Sequence, residues 1–280
     1  MKIIEIVQNI KKSCRGIAFD GNRIDEKLTR DKILFGDPTQ ICRGIVVTCY
    51  ASIDVIKEAI NQGSNLIIVH ETLFWNRGDK TDWLLNNKVF LEKKELLEKN
   101  NIVVWRNHDY IHSGISTSDG YKDGIFYGIA KSLDWQDYIV GENLMPTLFE
   151  IPQISANNLA KHLIKKLGLN GLRLIGNNNA QISKVQIPLH MFGDDNDKIR
   201  FMDEENIDAI IAMELVDFSI SSYVRDAGQL GLNKTIFSVG HFNLEEVGME
   251  YMLEYIPQII GKNIPISFVK SGDNFTYIKS

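Results

Sequence analysis

Cysteine is scarce in this 280-residue chain: there are three, Cys14, Cys42 and Cys49, an odd number without a Cys-x-x-Cys spacing. That excludes a disulfide framework and a thiolate zinc knuckle, and leaves the three as small apolar packing residues in a reducing compartment. Positive charge is not in excess. Lys+Arg 31 against Asp+Glu 36 gives a net charge of −5, without the basic face that nucleic-acid binding requires. No apolar run approaches the ~20 residues of a membrane span. The N-terminal "MKIIEIVQNIKKSC" has Glu5 and Gln8 inside its apolar stretch and spaces Ile3, Ile4, Val7 and Ile10 like a helix face, not a signal sequence. The expectation is a cytoplasmic protein, with neither membrane nor nucleic acid among its partners. The phosphate-cradling patterns GxxxxGK[ST] and GxGxxG after a strand are absent. With only six prolines and no low-complexity linker, secondary structure must supply the organisation.

What is present is an α/β rhythm. "GIVVTCY" (44–50) reads as a buried strand, Ser52 as the cap of a helix carrying Ile53, Ile56, Ala59 and Ile60, Gly63 as its stop, and "NLIIV" as the next strand. Strand, short helix and strand with tight turns make a βαβ unit with parallel strands. The pattern returns in "KVFLEKKELLEKN" followed by "NIVVW", and again in "DAIIAM", "SISSYVRDAGQL" and "TIFSV". Ala59/Gly63 and Ala227/Gly231 stand in equivalent places, so the pattern predicts a duplicated α/β architecture.

Each repeat ends in histidine. His70 and Glu71 close one strand, His108 and His112 follow another in "RNHDYIHSG", and His241 and Glu245 follow a third in "GHFNLEE". Open parallel sheets bind ligands at their strands' carboxyl ends, and imidazoles with carboxylates are ligands for Zn²⁺, Mn²⁺ and Fe²⁺. The candidate metal ligands are therefore His70, Glu71, His112, His241 and Glu245. Asn243 with Glu246 reads as a helix cap, which puts His241 before the helix and Glu245 in its first turn. His162, inside an amphipathic helix, is read as structural. His190, after "KVQIPL", is left outside the site, and Trp75 and Trp105 are read as core or cleft wall.

At these residues the sequence resembles the Nif-three-like dinuclear-metal hexamers, also called GTP cyclohydrolase I type two homologues. The family's His-His-Pro after a strand is "NLIIVHETLF" here, its His-x-x-x-Asp is "HDYIH", and its Gly-His-x-x-x-Glu is "GHFNLE"; the similarity runs from about residue 36 to 257. Two positions depart from the pattern. Glu71 replaces a histidine and His112 replaces an aspartate, a reciprocal exchange that keeps three imidazoles, two carboxylates and a ligand charge of −2.

The resemblance implies two intertwined, duplicated α/β repeats with mostly parallel sheets flanked by helices and a metal site between them. The lobes are expected at 1–124, with His70, Glu71, His108 and His112, and at 125–280, with His241 and Glu245. It also implies two divalent ions per chain, of zinc, iron or manganese, and a homohexamer. The expected function is dinuclear-metal-dependent hydrolysis of a small molecule by a metal-bridging hydroxide, cyclohydrolase-like by the family's name. His108 would orient the nucleophile or donate to a leaving group, and Glu214, where family members carry Gly-Glu, would act as a general base or support a ligand. The competing expectations are a non-catalytic metal-binding scaffold or regulator, and a mononuclear site.

Overall fold

A computed structural model describes residues 1–76, 78–141, 143–193 and 195–278. The chain forms two compact units, Met1–Ile125 with Gly248–Ser271, and Phe126–Val247 with Gly272–Ser280. The first opens with α1 (Ile3–Ser13), β1 (Ile33–Phe35), β2 (Ile45–Val47), α2 (Ile53–Asn61), β3 (Leu66–Val69), α3 (Lys88–Lys99), β4 (Val103–Arg106), α4 (Asp109–Ser113), β5 (Ile115–Thr117) and β6 (Gly120–Lys122). Then come α5 (Gly124–Ser132), β7 (Leu148–Ser155), α6 (Ala156–Leu167), β8 (Arg173–Gly176), β9 (Gln181–Gln186), α7 (Asn196–Glu204), β10 (Ala209–Ala212), α8 (Ile220–Gln229), β11 (Thr235–Ser238) and α9 (His241–Glu250). The chain closes its first unit with α10 (Met252–Ile260) and β12 (Ile266–Phe268).

The first unit's sheet has the order β1-β4-β3-β2-β12, and only β1 runs antiparallel to its neighbour. The second unit's sheet has the order β7-β9-β10-β11-β8, with the central β9, β10 and β11 parallel and both edge strands antiparallel. Five of the eight pairings are parallel, as the βαβ reading requires. The inner strands β2, β3, β4, β10 and β11 are buried at every residue because helices cover them, which is why they read as unbroken apolar runs, whereas β9, next to the edge strand β7, alternates.

Local chemistry explains the repeated βαβ units. Ser52 caps α2 by accepting from the Val55 amide at 3.3 Å, and Val55, Ile56 and Ala59 form the buried face. Gly63 and Gly231 both take left-handed backbone, φ +72° and +78°, immediately after their helices. This conformation is easy for glycine alone, so the parallel positions noted in the sequence perform the same task. Gly228 has a different role: a Cβ there would lie 2.7 Å from the Gly176 carbonyl carbon, so α8 packs directly on β8 backbone.

The three cysteines are buried and form no disulfide. Trp105 is fully buried, whereas Trp75 is partly exposed and donates to the Tyr50 hydroxyl at 2.7 Å. His162 bonds the Leu133 carbonyl at 3.0 Å and stacks on Trp135, a structural role. No helix among the described residues is long and apolar enough to cross a membrane.

One buried amine has no carboxylate partner among the described residues. Lys93 of α3 is 1% exposed, donates to the Leu73 carbonyl at 2.8 Å and Tyr50 Oη at 3.1 Å, and lies over the Tyr50 ring at 4.5 Å. Burial pushes its amine down to about 7. Between pH 7 and the ordinary lysine range the unfolded chain holds a proton that the folded chain has released, so this group stabilises the fold as pH rises through that window. Denaturation of wild type and Lys93→Met should therefore give a stability difference that moves toward wild type by a few kcal/mol between pH 6.5 and 9.5. A difference independent of pH would contradict the assignment.

Candidate metal centre

In the first unit the site follows from strand register. β3 and β4 run parallel with Val69 opposite Arg106, so His70 and Asn107 leave the sheet side by side. The ladder extends one step further: the Asn107 amide donates to the Val69 carbonyl at 2.8 Å, and the Asn107 carbonyl lies 3.1 Å from His70 Nδ1. α4 then turns His112 back toward His70. The rings of His70 and His108 stack at 4.4 Å, and His112 meets both edge-on at 5.0 and 4.9 Å. One nitrogen from each imidazole lies within 4.8 Å of the others.

Each of these imidazoles faces an oxygen through Nδ1. His70 faces the Asn107 carbonyl, His108 faces Asp109 Oδ1 at 3.2 Å, and His112 faces Asp123 Oδ2 at 2.7 Å. A carbonyl cannot donate and an ionised carboxylate only accepts, so Nδ1 carries a proton in all three, and in the neutral ring Nε2 is then the nitrogen with the lone pair. Metal-ligating histidines are held in this way. Burial also pushes the His108 imidazole down to about 4 against the opposing pull of Asp109, so it is neutral at physiological pH.

Acidic residues beneath the histidines fix the loop. Asp31, buried and pushed up to about 6 by that burial, accepts from the backbone amides of His108 at 3.0 Å and Asp109 at 2.6 Å. Asp109 accepts from Thr29 Oγ1 at 2.9 Å and from the Arg30 amide and Nε, both at 2.8 Å. Burial alone would raise the Asp109 carboxyl, but its bonds with His108 and Arg30 outweigh that and hold it well below the usual range. Asp123 uses its second oxygen to accept from the Ile125 amide at 2.9 Å, which starts α5. Glu71 is partly buried, and its amide donates to the Cys49 carbonyl at 3.0 Å.

The second unit repeats the device. Ala212 and Ser238 are in register at the ends of β10 and β11, and Val185 and Gln186 of β9 pair with Ala209 and Ile210. Three adjacent parallel strands thus deliver His190, Glu214 and His241 to one edge, with ligand atoms within 4.8 Å. Glu214 stands between the imidazoles: Oε1 accepts from His190 Nδ1 at 3.0 Å and from His241 Nδ1 in a short contact. Burial would raise Glu214, but the two histidines lower it below the ordinary carboxylate range. His241 Nε2 lies 2.9 Å from Glu245 Oε2.

That last contact corrects the expected helix start. Asn243 does not cap α9; its Nδ2 donates to the Val239 carbonyl at 2.7 Å and the helix begins at His241, after Gly240 turns the chain at φ +100°. His241 and Glu245 are consequently i and i+4 on one helical face. Asp31, Asp109 and Asp123 are not among the residues that the sequence singles out, and His190, left outside the expected site, stands beside Glu214. Asp123 has a legible signal, an acidic residue two positions ahead of the helical "IFYGIA"; His190 has none without the strand order.

The chain is 27% identical over 219 residues to a Clostridium perfringens protein named GTP cyclohydrolase 1 type 2 homolog, covering 76% of this chain and 77% of that one. A protein of the same name from Clostridium acetobutylicum is 25% identical over 244 residues, covering 84% and 85%. Among solved structures, a hypothetical protein from Staphylococcus aureus superposes with a TM-score of 0.70 at 17% identity over 99% of both chains. A Bacillus cereus protein related to NIF3 gives 0.67 at 15% over 100% and 99%. These likenesses are of fold. A family pattern matches residues 26–274, and the chain belongs to the Duf34/NIF3 (NGG1p interacting factor 3) family.

Proposed function

We propose that the protein is a metal-dependent hydrolase of a small molecule. His70, Glu71, His112, His241 and Glu245 supply the ligands for two divalent ions per chain, of the zinc, iron or manganese type. The observation that carries this reading is the anchoring of His70 Nδ1 on the Asn107 carbonyl and of His112 Nδ1 on Asp123, which makes Nε2 the ligand nitrogen of each, in a group of histidines whose ligand atoms lie within 4.8 Å of one another. The donor set fits such an ion: imidazoles with carboxylates and no thiolate. The amide of Asn107 supports it, because this fully buried side chain finds no hydrogen-bond partner among the described residues, which bound water would provide.

When bound, a divalent ion supplies Lewis acidity, acidifying water and polarising the group under attack. The chain's own residues do the rest. His108, neutral and oriented by Asp109, holds or moves a proton at Nε2. Glu214 sets the tautomer of His241 by accepting from its Nδ1. Relatives named GTP cyclohydrolase 1 type 2 homolog make ring-opening hydrolysis of a purine nucleotide the first reaction to assay. The same reading includes a homohexamer, and sedimentation at the 31.9 kDa of one chain would contradict that part.

Four predictions test the ligands and the catalyst. His70→Ala and His112→Ala should each lose bound metal when reconstituted protein is assayed by elemental analysis. His108→Ala should keep its metal while turnover of GTP or a p-nitrophenyl probe falls by ~10²–10⁴; loss of metal in His108→Ala would make His108 a ligand instead. Asp123→Asn, which keeps the helix cap but removes the charge behind His112, should weaken metal affinity ~10–100-fold, and unchanged affinity would remove the anchoring argument. Glu71→His and His112→Asp should each reduce metal affinity, with recovery in the double variant. Simple additivity would show that the two residues do not compensate.

A further inference from the structure

Beside His241 in the second unit lies a cavity of about 300 Å³ that the metal reading does not use. Glu214 and His241 line its inner end, Phe242 and Phe275 contribute its aromatic surface, and Arg173 and Asn274 its exposed polar groups. Arg173 is the first residue of β8 and pairs across the sheet with Ser238, whose Oγ accepts from Nη2 at 3.1 Å. That spends one of five guanidinium N–H donors. Among the described residues no carboxylate lies within ion-pair reach of Arg173, and the Asn274 amide makes no hydrogen bond. The charge of Glu214 at the inner end is already shared by two imidazoles.

The loop that carries Asn274 and Phe275 is built, not draped. Asp273 gathers it by accepting from the amides of Phe275 at 2.9 Å and Asn170 at 3.5 Å, and from Asn243 Nδ2 at 3.2 Å. Asn243 in turn holds the Val239 carbonyl ahead of α9. The same side chain that sets the start of the His241 helix therefore positions the Phe275 wall. Phe242 meets the His241 ring edge-on at 5.9 Å, which brings the apolar surface up to the candidate ligands.

An uncompensated guanidinium, two phenyl rings and a free amide in a cavity of this size select a particular chemistry. Guanidinium forks match carboxylate and phosphate oxygens, phenyl faces and edges favour a flat ring, and a volume at the low end of ligand pockets admits one or two fused rings. We propose that this cavity is the substrate subsite of the metal centre and seats a flat heteroaromatic ring bearing a carboxylate or phosphate, with Arg173 holding the anionic group and Phe275 covering the ring beside His241. The proposal rests on the hydrolase reading above for its link to turnover, but its binding chemistry is tested separately.

The test is calorimetric titration of the full-length protein, with its metal content as purified, using nicotinate as a ring carboxylate and guanosine monophosphate as a ring phosphate. Nicotinamide supplies the ring without charge and acetate the charge without a ring. At least one ring anion should bind tenfold or more tightly than both controls, and the tighter of the two identifies the anionic group. Arg173→Gln, at an exposed strand end, should weaken that binding at least tenfold and Phe275→Ala severalfold, with metal content unchanged. Absence of binding by both ring anions at millimolar concentration, or equal affinity in wild type, Arg173→Gln and Phe275→Ala, would overturn it. Arg173-dependent binding that persists in protein shown to hold no metal supports the subsite and counts against the metal reading. Binding that needs metal and ignores Arg173 overturns the subsite and leaves the metal reading standing.

Discussion

The hydrogen bond from the Asn107 amide to the Val69 carbonyl is the constraint on which the histidine site depends. It carries the parallel β3–β4 ladder one residue past the strands, so the peptide that follows β4 presents its carbonyl to His70 Nδ1. The backbone is therefore a component of the candidate site in its own right. A strand-end histidine on an unregistered loop would sample both tautomers and several rotamers. Here the sheet fixes both before any ion arrives, which removes much of the ordering cost of binding.

Electrostatics follow from that frame. Three imidazoles packed ring against ring could not all be charged, and burial with mutual repulsion keeps His108 neutral. Carboxylates are placed behind two of the rings, on Nδ1, where they raise the basicity of the imidazoles. The second unit arranges the same residue types differently: Glu214 serves Nδ1 of two imidazoles, and Glu245 faces His241 Nε2 at 2.9 Å. Two βαβ units with helix-stopping glycines in equivalent places thus end in equivalent chemistry, a consequence of parallel strands exposing their carboxyl ends together.

Much of this was legible in the sequence because buried parallel strands are unbroken apolar runs and their helices are punctuated by Ser52, Gly63 and Gly231. His70, His108 and His112 could be singled out for the same reason: polar residues at the tips of such runs stand out. What supports them could not be read. Asp31 lies 77 residues before the His108 amide it binds, and nothing local marks it as that partner. The spacing of Asn243 to Glu246 matches a capping box, but its side chain reaches back to Val239 and the helix starts three residues earlier than such a cap would place it. His190 joins Glu214 only because β9 lies next to β10 in the sheet, an order that composition and periodicity do not encode.

The central claim is that Nε2 of His70 and His112, presented by anchored Nδ1 protons, holds a divalent ion. Anomalous diffraction at metal absorption edges from crystals of the protein purified without a polyhistidine tag tests it most directly. The account predicts an anomalous peak within ~2.0–2.2 Å of Nε2 in both residues, with Nδ1 still on the Asn107 carbonyl and on Asp123. A peak on Nδ1, or none at these histidines after reconstitution with zinc, iron or manganese, would contradict it.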